Sequence, residues 1–418
     1  MLTEIKLENW KSFHNATLYI DPLTVLTGMN ASGKSNILDA LLFLQRSISS
    51  RDIYTAIQGD RDNNGIRGGI ENIELWGQQQ MPRLSVSVDS EEGITYRYLL
   101  YLTIERNNNG HHEARIYEET LSETRDDSNF TIFSVVSSIN NALVRVSVAK
   151  PKGNNPNEYH DATQTYAYKW TMPTQETILK QLSQRTELSD RVSKAVKTVA
   201  NTLQNVFILD PIPTNMRQYV RVSPYLTADG ANAAGVIANL GNEEKIATEQ
   251  LLTHYAQKLP EQELQNITVG LVGLGNNDAM FYCDENFVTN ASQRIDARSM
   301  SDGTLRFLAI LTAILTRPKG SLLVVEEIDN GIHPSRAKLL LQILYTEATQ
   351  RQIDILVTTH NVAFLNELTE HYLPFVMYVH RNRENGYSEI TPINELDNLP
   401  FLLGQGPLGA IVTHQKLR

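Results

Sequence analysis

Residues 28 to 35 read Gly28-Met-Asn-Ala-Ser-Gly-Lys-Ser35, a complete G-x-x-x-x-G-K-S. Each part has a physical task. Gly28 and Gly33 permit backbone angles that turn successive N–H groups inward onto a phosphate. Lys34 supplies a point charge at the β and γ phosphates, and Ser35 places a hydroxyl on Mg²⁺. Before the loop, Leu23 to Thr27 reads as a strand; after it, Lys34 to Arg46 reads as a helix with Ile37, Leu38, Leu41, Leu42 and Leu44 on a broad face. That helix aims its positive end at the same anion. Strand, glycine loop and helix in this order predict an α/β fold around a nucleoside triphosphate, and the loop alone implies no more.

Outward from the loop, residues 3 to 8 alternate apolar and polar as a half-buried strand does, and 16 to 20 form a second strand pattern. Residues 47 to 80 are polar and glycine-containing, which predicts loops and short elements. Alternation returns over 83 to 103, 135 to 149 and 166 to 170, the pattern of antiparallel strands joined by turns such as 107 to 110 and 151 to 156. From 175 to 206 the spacing becomes helical, through Ile178, Leu182, Leu188, Val192, Val196, Val199 and Leu203. No heptad run persists there, so a long coiled-coil arm is not expected. The C-terminal part predicts a helix over 302 to 315, a strand over 322 to 325, a helix over 334 to 348 and strands over 353 to 358 and 374 to 379. Such alternation implies a mostly parallel sheet covered by helices. Three regions are expected: 1–174 with the phosphate loop and an antiparallel lobe, 175–265 with a helical insert and connecting lobe, and 266–418 completing the α/β head.

Four later features bear on the chemistry. Leu322-Leu-Val-Val325 is a fully apolar strand ending in Glu326 and Glu327. It is expected to lie beside the phosphate-loop strand, so that both carboxylates face the nucleotide. Glu326 would hold Mg²⁺, a hard cation that prefers oxygen, and Glu327 would orient and deprotonate water. Two solvated glutamates at a strand end are the plainer alternative. Met300-Ser-Asp-Gly-Thr304 precedes an apolar helix; Ser301 suits the helix N-cap, and Ser301 with Gly303 also forms a second anion site. Val357-Thr-Thr-His360 closes another strand and puts an imidazole at the same sheet edge.

Composition narrows the class. The net charge is −10 and the pI about 5.5, which argues against a surface that grips nucleic acid all over. The basic residues between Lys180 and Lys197 are interleaved with Glu187 and Asp190, as on a mixed solvated helix face. Cys283 is the only cysteine, so a disulfide within the chain is excluded and a reducing cytoplasm fits. No apolar run approaches the roughly 18 to 20 residues that cross a bilayer, and no membrane partner is expected.

In order along the chain, Gly28 to Ser35, Met300 to Thr304, Glu326–Glu327 and His360 resemble the Walker A, signature, Walker B with catalytic glutamate, and H-loop motifs of ABC ATPases. Local wording is similar to the RecF/SMC-like prokaryotic members, stand-alone AAA-type ATPases related to the ATPase part of OLD-family proteins. The wording lies in Ile5-Lys-Leu-Glu-Asn-Trp-Lys-Ser-Phe13, in Asn36-Ile-Leu-Asp-Ala40 after the loop, in Ser301-Asp-Gly-Thr-Leu-Arg306 and in Glu326-Glu-Ile-Asp-Asn-Gly-Ile-His-Pro334. The resemblance covers about residues 1–45 and 295–365, with a weaker stretch from Leu209 to Asn232. Ile328-Asp329 stand where the family usually has Pro-Glu. Gln58 and Gln78 to Gln80 are all candidates for the Q-loop.

The resemblance implies an ABC-type P-loop head with a mixed sheet, an antiparallel subdomain and a short helical insert. It also implies a cycle. ATP binds through Asn30, Ser32, Lys34, Ser35 and Asn36, with Mg²⁺ on Ser35 and Glu326. Ser301 and Gly303 of a second copy close on the γ-phosphate, Glu327 activates water and His360 contacts the γ-phosphate. Lys11, in the turn after the first strand, either reaches the nucleotide or is a solvated lysine. For a coupled task, long coiled coils are missing and no carboxylate cluster suited to two metals follows His360. The expectation is therefore a cytoplasmic ATPase, a dimer or higher oligomer with itself, that controls a separately encoded effector such as a nuclease in anti-phage defence. A RecF-like DNA-repair ATPase that binds DNA directly is the alternative. A P-loop kinase or transport ATPase fits less well, given the signature segment.

Overall fold

The computed structural model describes residues 1–413 apart from 62–63, 76–79, 107–111, 127, 141, 154, 260–263, 274, 287–291, 332, 397–398 and 405. Its centre is a six-stranded sheet in the order Val206–Leu209, Leu322–Val325, Asp354–Thr359, Leu23–Thr27, Val376–Arg381, Ser388–Pro392. The first five strands run parallel and the last is antiparallel. The carboxyl ends of the parallel strands therefore share one edge, where open α/β sheets bind ligands.

The strand order corrects one expectation. Leu322–Val325 does not lie beside Leu23–Thr27; Asp354–Thr359 is hydrogen-bonded between them. All three strands are buried along their whole length because each is covered on both faces. Alternate residues enter two different cores: Leu23, Val25, Leu323, Val325, Ile355 and Val357 one, and Leu26, Leu322, Val324 and Leu356 the other. With all three equally buried, apolar content gives no clue to which neighbours which.

The first core contains the helices Asp302–Thr316 and Ala337–Arg351. Asp302–Thr316 is buried almost all round, as its nearly continuous apolar sequence requires. The second core holds the helix Lys34–Ser49 and one face of an eight-stranded antiparallel sheet. That sheet runs from Tyr168–Pro173 through Leu143–Val148, Ser128–Asn140, His112–Arg125, Thr95–Arg106 and Arg83–Asp89 to Leu2–Trp10 and Phe13–Tyr19. The expected turn at 107–110 lies outside the described residues. The helical stretch from 175 is two helices, Ile178–Ser183 and Asp190–Gln204. The chain thus adopts the expected ABC-type P-loop head, with its mixed sheet, antiparallel lobe and helices. Among the described residues, no helix is long and apolar enough to cross a membrane.

Candidate active site

The phosphate loop leaves the sheet at Thr27 and enters the helix at Lys34. Gly28 has φ +150°, and a Cβ there would stand 2.1 Å from the Val379 carbonyl oxygen. At Gly33, φ is +119° and a Cβ would stand 2.5 Å from Ser388 Oγ. Both positions therefore exclude a side chain by backbone angle and by space. The loop is held from outside: Ser388 Oγ donates to the Ser32 carbonyl at 2.6 Å and Arg381 Nε to the Ala31 carbonyl at 3.1 Å. Lys34 Nζ donates to the carbonyls of Gly28 and Met29, at 2.6 and 2.9 Å. Burial pushes that ammonium below its ordinary range, and the nearby Glu327 charge opposes the shift.

A cleft of about 290 Å³ opens over the loop, lined by residues 30 to 36 together with Glu326, Glu327, Thr358, Thr359, His360 and Arg381. It lies at the carboxyl ends of three adjacent parallel strands. The interposed strand supplies both His360 and the bond that shapes Glu327. Glu327 has φ +48°, a left-handed conformation that costs a non-glycine residue about 1 kcal/mol or more. Its N–H donates to Thr358 Oγ1 at 2.8 Å, and the next N–H, of Ile328, donates to the Thr358 carbonyl at 3.0 Å. The turn after the paired carboxylates is therefore built on Thr358.

The residues fit a nucleotide and its cation. Ser32 Oγ is buried with no hydrogen-bond partner among the described residues, and a phosphate oxygen would satisfy it. Ser35 Oγ lies 3.4 Å from Glu326 Oε1, a pair of hard oxygen donors of the kind Mg²⁺ takes. Among the described residues, no group of three or more His, Cys, Asp or Glu side chains forms a metal site. Two protein donors with phosphate and water completing the shell is a common arrangement for Mg²⁺.

Lys11 is placed elsewhere. It is buried, and its ammonium donates to Asp39 Oδ2 at 2.5 Å and to the Arg67 carbonyl at 2.7 Å. Its burial is made tolerable by that carboxylate, so it is neither a solvated lysine nor a residue lining the cleft. Asn36 lines the cleft, while its amide donates to Ser12 Oγ at 2.7 Å. Gln58 is exposed and, like Gln80, does not line the cleft; Gln78 and Gln79 lie outside the described residues.

Ser301 and Gly303 do not line the cleft of their own chain. Ser301 caps its helix, its Oγ accepting from Thr304 N–H at 3.1 Å. Gly303 abuts the loop that follows Glu327: a Cβ there would stand 2.6 Å from the Gly331 carbonyl oxygen. Arg217 fixes the approach to this helix, donating to the carbonyls of Arg298 and Met300 and pairing with Asp302.

Three arginines at the site were not assigned roles from sequence. Arg67 Nη2 pairs with Glu326 Oε2 at 3.0 Å, and its Nε lies 3.5 Å from Asp39. Arg381 lines the cleft from the end of its strand. Arg306 reaches the backbone of the paired glutamates from the helix Asp302–Thr316. The only sequence signal for Arg306 is a cation inside an otherwise apolar helix.

A family model described as "AAA domain" matches residues 4–266, and a second, described as "AAA domain, putative AbiEii toxin, Type IV TA system", matches residues 224–366. No curated protein matches the sequence. Similar solved structures include an SMC head bound to the C-terminal winged-helix domain of ScpA, with 12% identity and TM-score 0.48, covering 93% of this chain and 96% of that one. The SMC head domain from Thermotoga maritima has 13% identity and TM-score 0.42, covering 94% and 98%. An SMC head with an extended coiled coil, bound to the C-terminal domain of ScpA from Pyrococcus furiosus, has 11% identity and TM-score 0.45, covering 97% and 98%.

Proposed function

The chain belongs to the AAA-domain family, and from that premise we propose that it hydrolyses ATP in the cleft at the carboxyl edge of its central sheet, using two copies arranged head to tail. One observation carries the reading: three adjacent parallel strands bring Lys34, Glu326, Glu327 and His360 around one cleft. Lys34 and the loop N–H groups hold the β and γ phosphates. Ser35 and Glu326 hold Mg²⁺, which when bound offsets charge on the phosphate oxygens. Glu327 orients a water on the γ-phosphorus and takes its proton, and His360 hydrogen-bonds the γ-phosphate. The bond from the γ-phosphorus to the bridging oxygen breaks, leaving ADP and phosphate.

Ser301 and Gly303 point to the second copy. They form a helix N-terminus that does not line its own chain's cleft, and a γ-phosphate presented by another copy would complete it. ATP then bridges two subunits, and hydrolysis removes the bridge. We take the output to be control of a separately encoded effector, such as a nuclease in anti-phage defence. The toxin-system description attached to residues 224–366 supports a chain that acts with a partner. The test is Glu327→Gln, which keeps ATP and Mg²⁺ binding but lacks the base. It should accumulate an ATP-bound dimer, and what co-purifies with that trapped form identifies the effector. Wild-type turnover in this variant would remove Glu327 from its role.

A further inference from the structure

Arg306 stands at the fifth position of the helix Asp302–Thr316, one turn beyond Ser301, and only 4% of it is exposed. Its guanidinium bonds to main-chain oxygens at the ends of two neighbouring parallel strands. Nη1 donates to the Pro211 carbonyl at 2.9 Å, beyond Val206–Leu209. Nη2 donates to the carbonyls of Glu326 at 2.9 Å and Glu327 at 3.0 Å, beyond Leu322–Val325. Asp210 Oδ1, 3.6 Å away, is its carboxylate partner, and Nε is buried without a hydrogen-bond partner among the described residues.

A charged group is costly to bury, and an apolar helix gives no packing reason for one here. What it achieves is local. The Glu327 peptide is bracketed, with its N–H on Thr358 Oγ1 and its carbonyl on Arg306. Those two bonds hold the one non-glycine left-handed residue among those lining the cleft besides Ala31.

We propose that Arg306 is a positioning residue for Glu327: it fixes the glutamate's main chain so that its carboxylate meets the attacking water, and it acts on the Glu327 of its own chain. The assignment rests on the reading above that Glu327 is the base. It differs from a role in the Ser301 surface, because the guanidinium points away from solvent onto the paired-glutamate turn.

In the full chain, Arg306→Met should lower kcat at least about tenfold while the dissociation constant for ATP stays within about twofold. Arg306→Lys, which can donate to one or two of the carbonyls, should recover part of kcat. Unchanged kcat, or loss of ATP binding alongside kcat, overturns the proposal. If Arg306→Met fails to fold, Arg306→Lys carries the same comparison, with a smaller fall in kcat at constant affinity.

Mixed dimers separate this from a signature role. Lys34→Ala chains are mixed either with Ser301→Arg chains or with Arg306→Met chains, and the fate of ATP occluded in a single turnover is followed. In both mixtures the intact loop meets an intact Ser301. The first mixture should hydrolyse its occluded ATP, whereas the second should do so at least about tenfold more slowly. Hydrolysis in both at equal rate would place Arg306 in the signature surface and overturn the proposal. If the first mixture recovers nothing, the two-copy reading fails instead, and the kcat-against-affinity split of Arg306→Met alone still decides for or against Arg306.

Discussion

Replacing Thr358 with Val removes one oxygen from the strand between the phosphate loop and the paired glutamates. The hydroxyl is the acceptor for the Glu327 N–H at 2.8 Å, and Thr358 is 3% exposed, so water cannot readily take its place. An unpaired buried donor costs about 1 to 3 kcal/mol. The left-handed Glu327 already carries strain of about 1 kcal/mol or more, so the turn should relax toward another conformation rather than bear both costs. Spread over the unfolding entropy of a chain of 418 residues, that loss lowers a single cooperative melting transition by only about 1 to 3 °C. The effect on catalysis should be larger, because a carboxylate displaced by about 1 Å costs up to roughly 100-fold in rate. Phosphate release at saturating ATP should therefore fall about 10- to 100-fold in Thr358→Val, with ATP affinity nearly unchanged. Thr358→Ser keeps the acceptor and should retain most of the rate. Wild-type kcat in Thr358→Val, or an equal fall in Thr358→Ser, would refute the reasoning that this hydroxyl shapes the catalytic turn.

Other outcomes follow from the same geometry. Lys34→Ala should abolish ATP binding in calorimetry, since the phosphates lose their main compensating charge, and tight binding would count against the loop assignment. Glu326→Gln should weaken the dependence of ATP binding on Mg²⁺ while Glu327→Gln leaves it intact; the reverse pattern would exchange their roles. Glu119 is fully buried beneath the helix Ile178–Ser183, accepting from Tyr98 Oη and from the N–H groups of Ile178 and Leu179. Burial pushes its carboxyl up to about 7, so the folded state binds the extra proton and stability falls as pH rises from about 4.5 to about 7. Glu119→Gln should remove that slope, gaining relative to wild type on the order of 3 kcal/mol between pH 5 and 8. Parallel melting curves for the two proteins across that range would show that Glu119 does not titrate there.

The parts legible in the sequence are those whose causes are local. A phosphate loop needs its glycines, lysine and serine within one turn of chain, and the strand before it and helix after it carry their own periodicities. Leu322–Val325 is legible for a related reason, since four apolar residues ending in two carboxylates leave few alternatives to a covered strand with a polar tip. Strand order is a different kind of information. The neighbour of Leu23–Thr27 is set by hydrogen bonds to residues over three hundred positions away, and both candidate strands are fully buried. Lys11 shows how an isolated charge misleads. Its partner Asp39 sits on the apolar face of the loop's helix between Leu38 and Ala40, and that misplaced carboxylate was the available signal for a buried pair. Arg67 and Arg381 had no such sign, because their partners include backbone carbonyls and distant carboxylates that no spacing encodes.

The central claim, a nucleotide site shared between two chains, is tested most directly by mixing two inactive variants. A Lys34→Ala dimer lacks the loop cation at both sites, and a Ser301→Arg dimer places a bulky cation at both signature surfaces. In a dimer of one chain of each, both lesions fall in a single site, and the other combines an intact Lys34 with an intact Ser301. Occluded ATP should therefore appear in the mixture, at up to about half the sites of each mixed dimer. Occlusion no greater than in the separate variants, with subunit exchange verified by mass, would contradict the shared site.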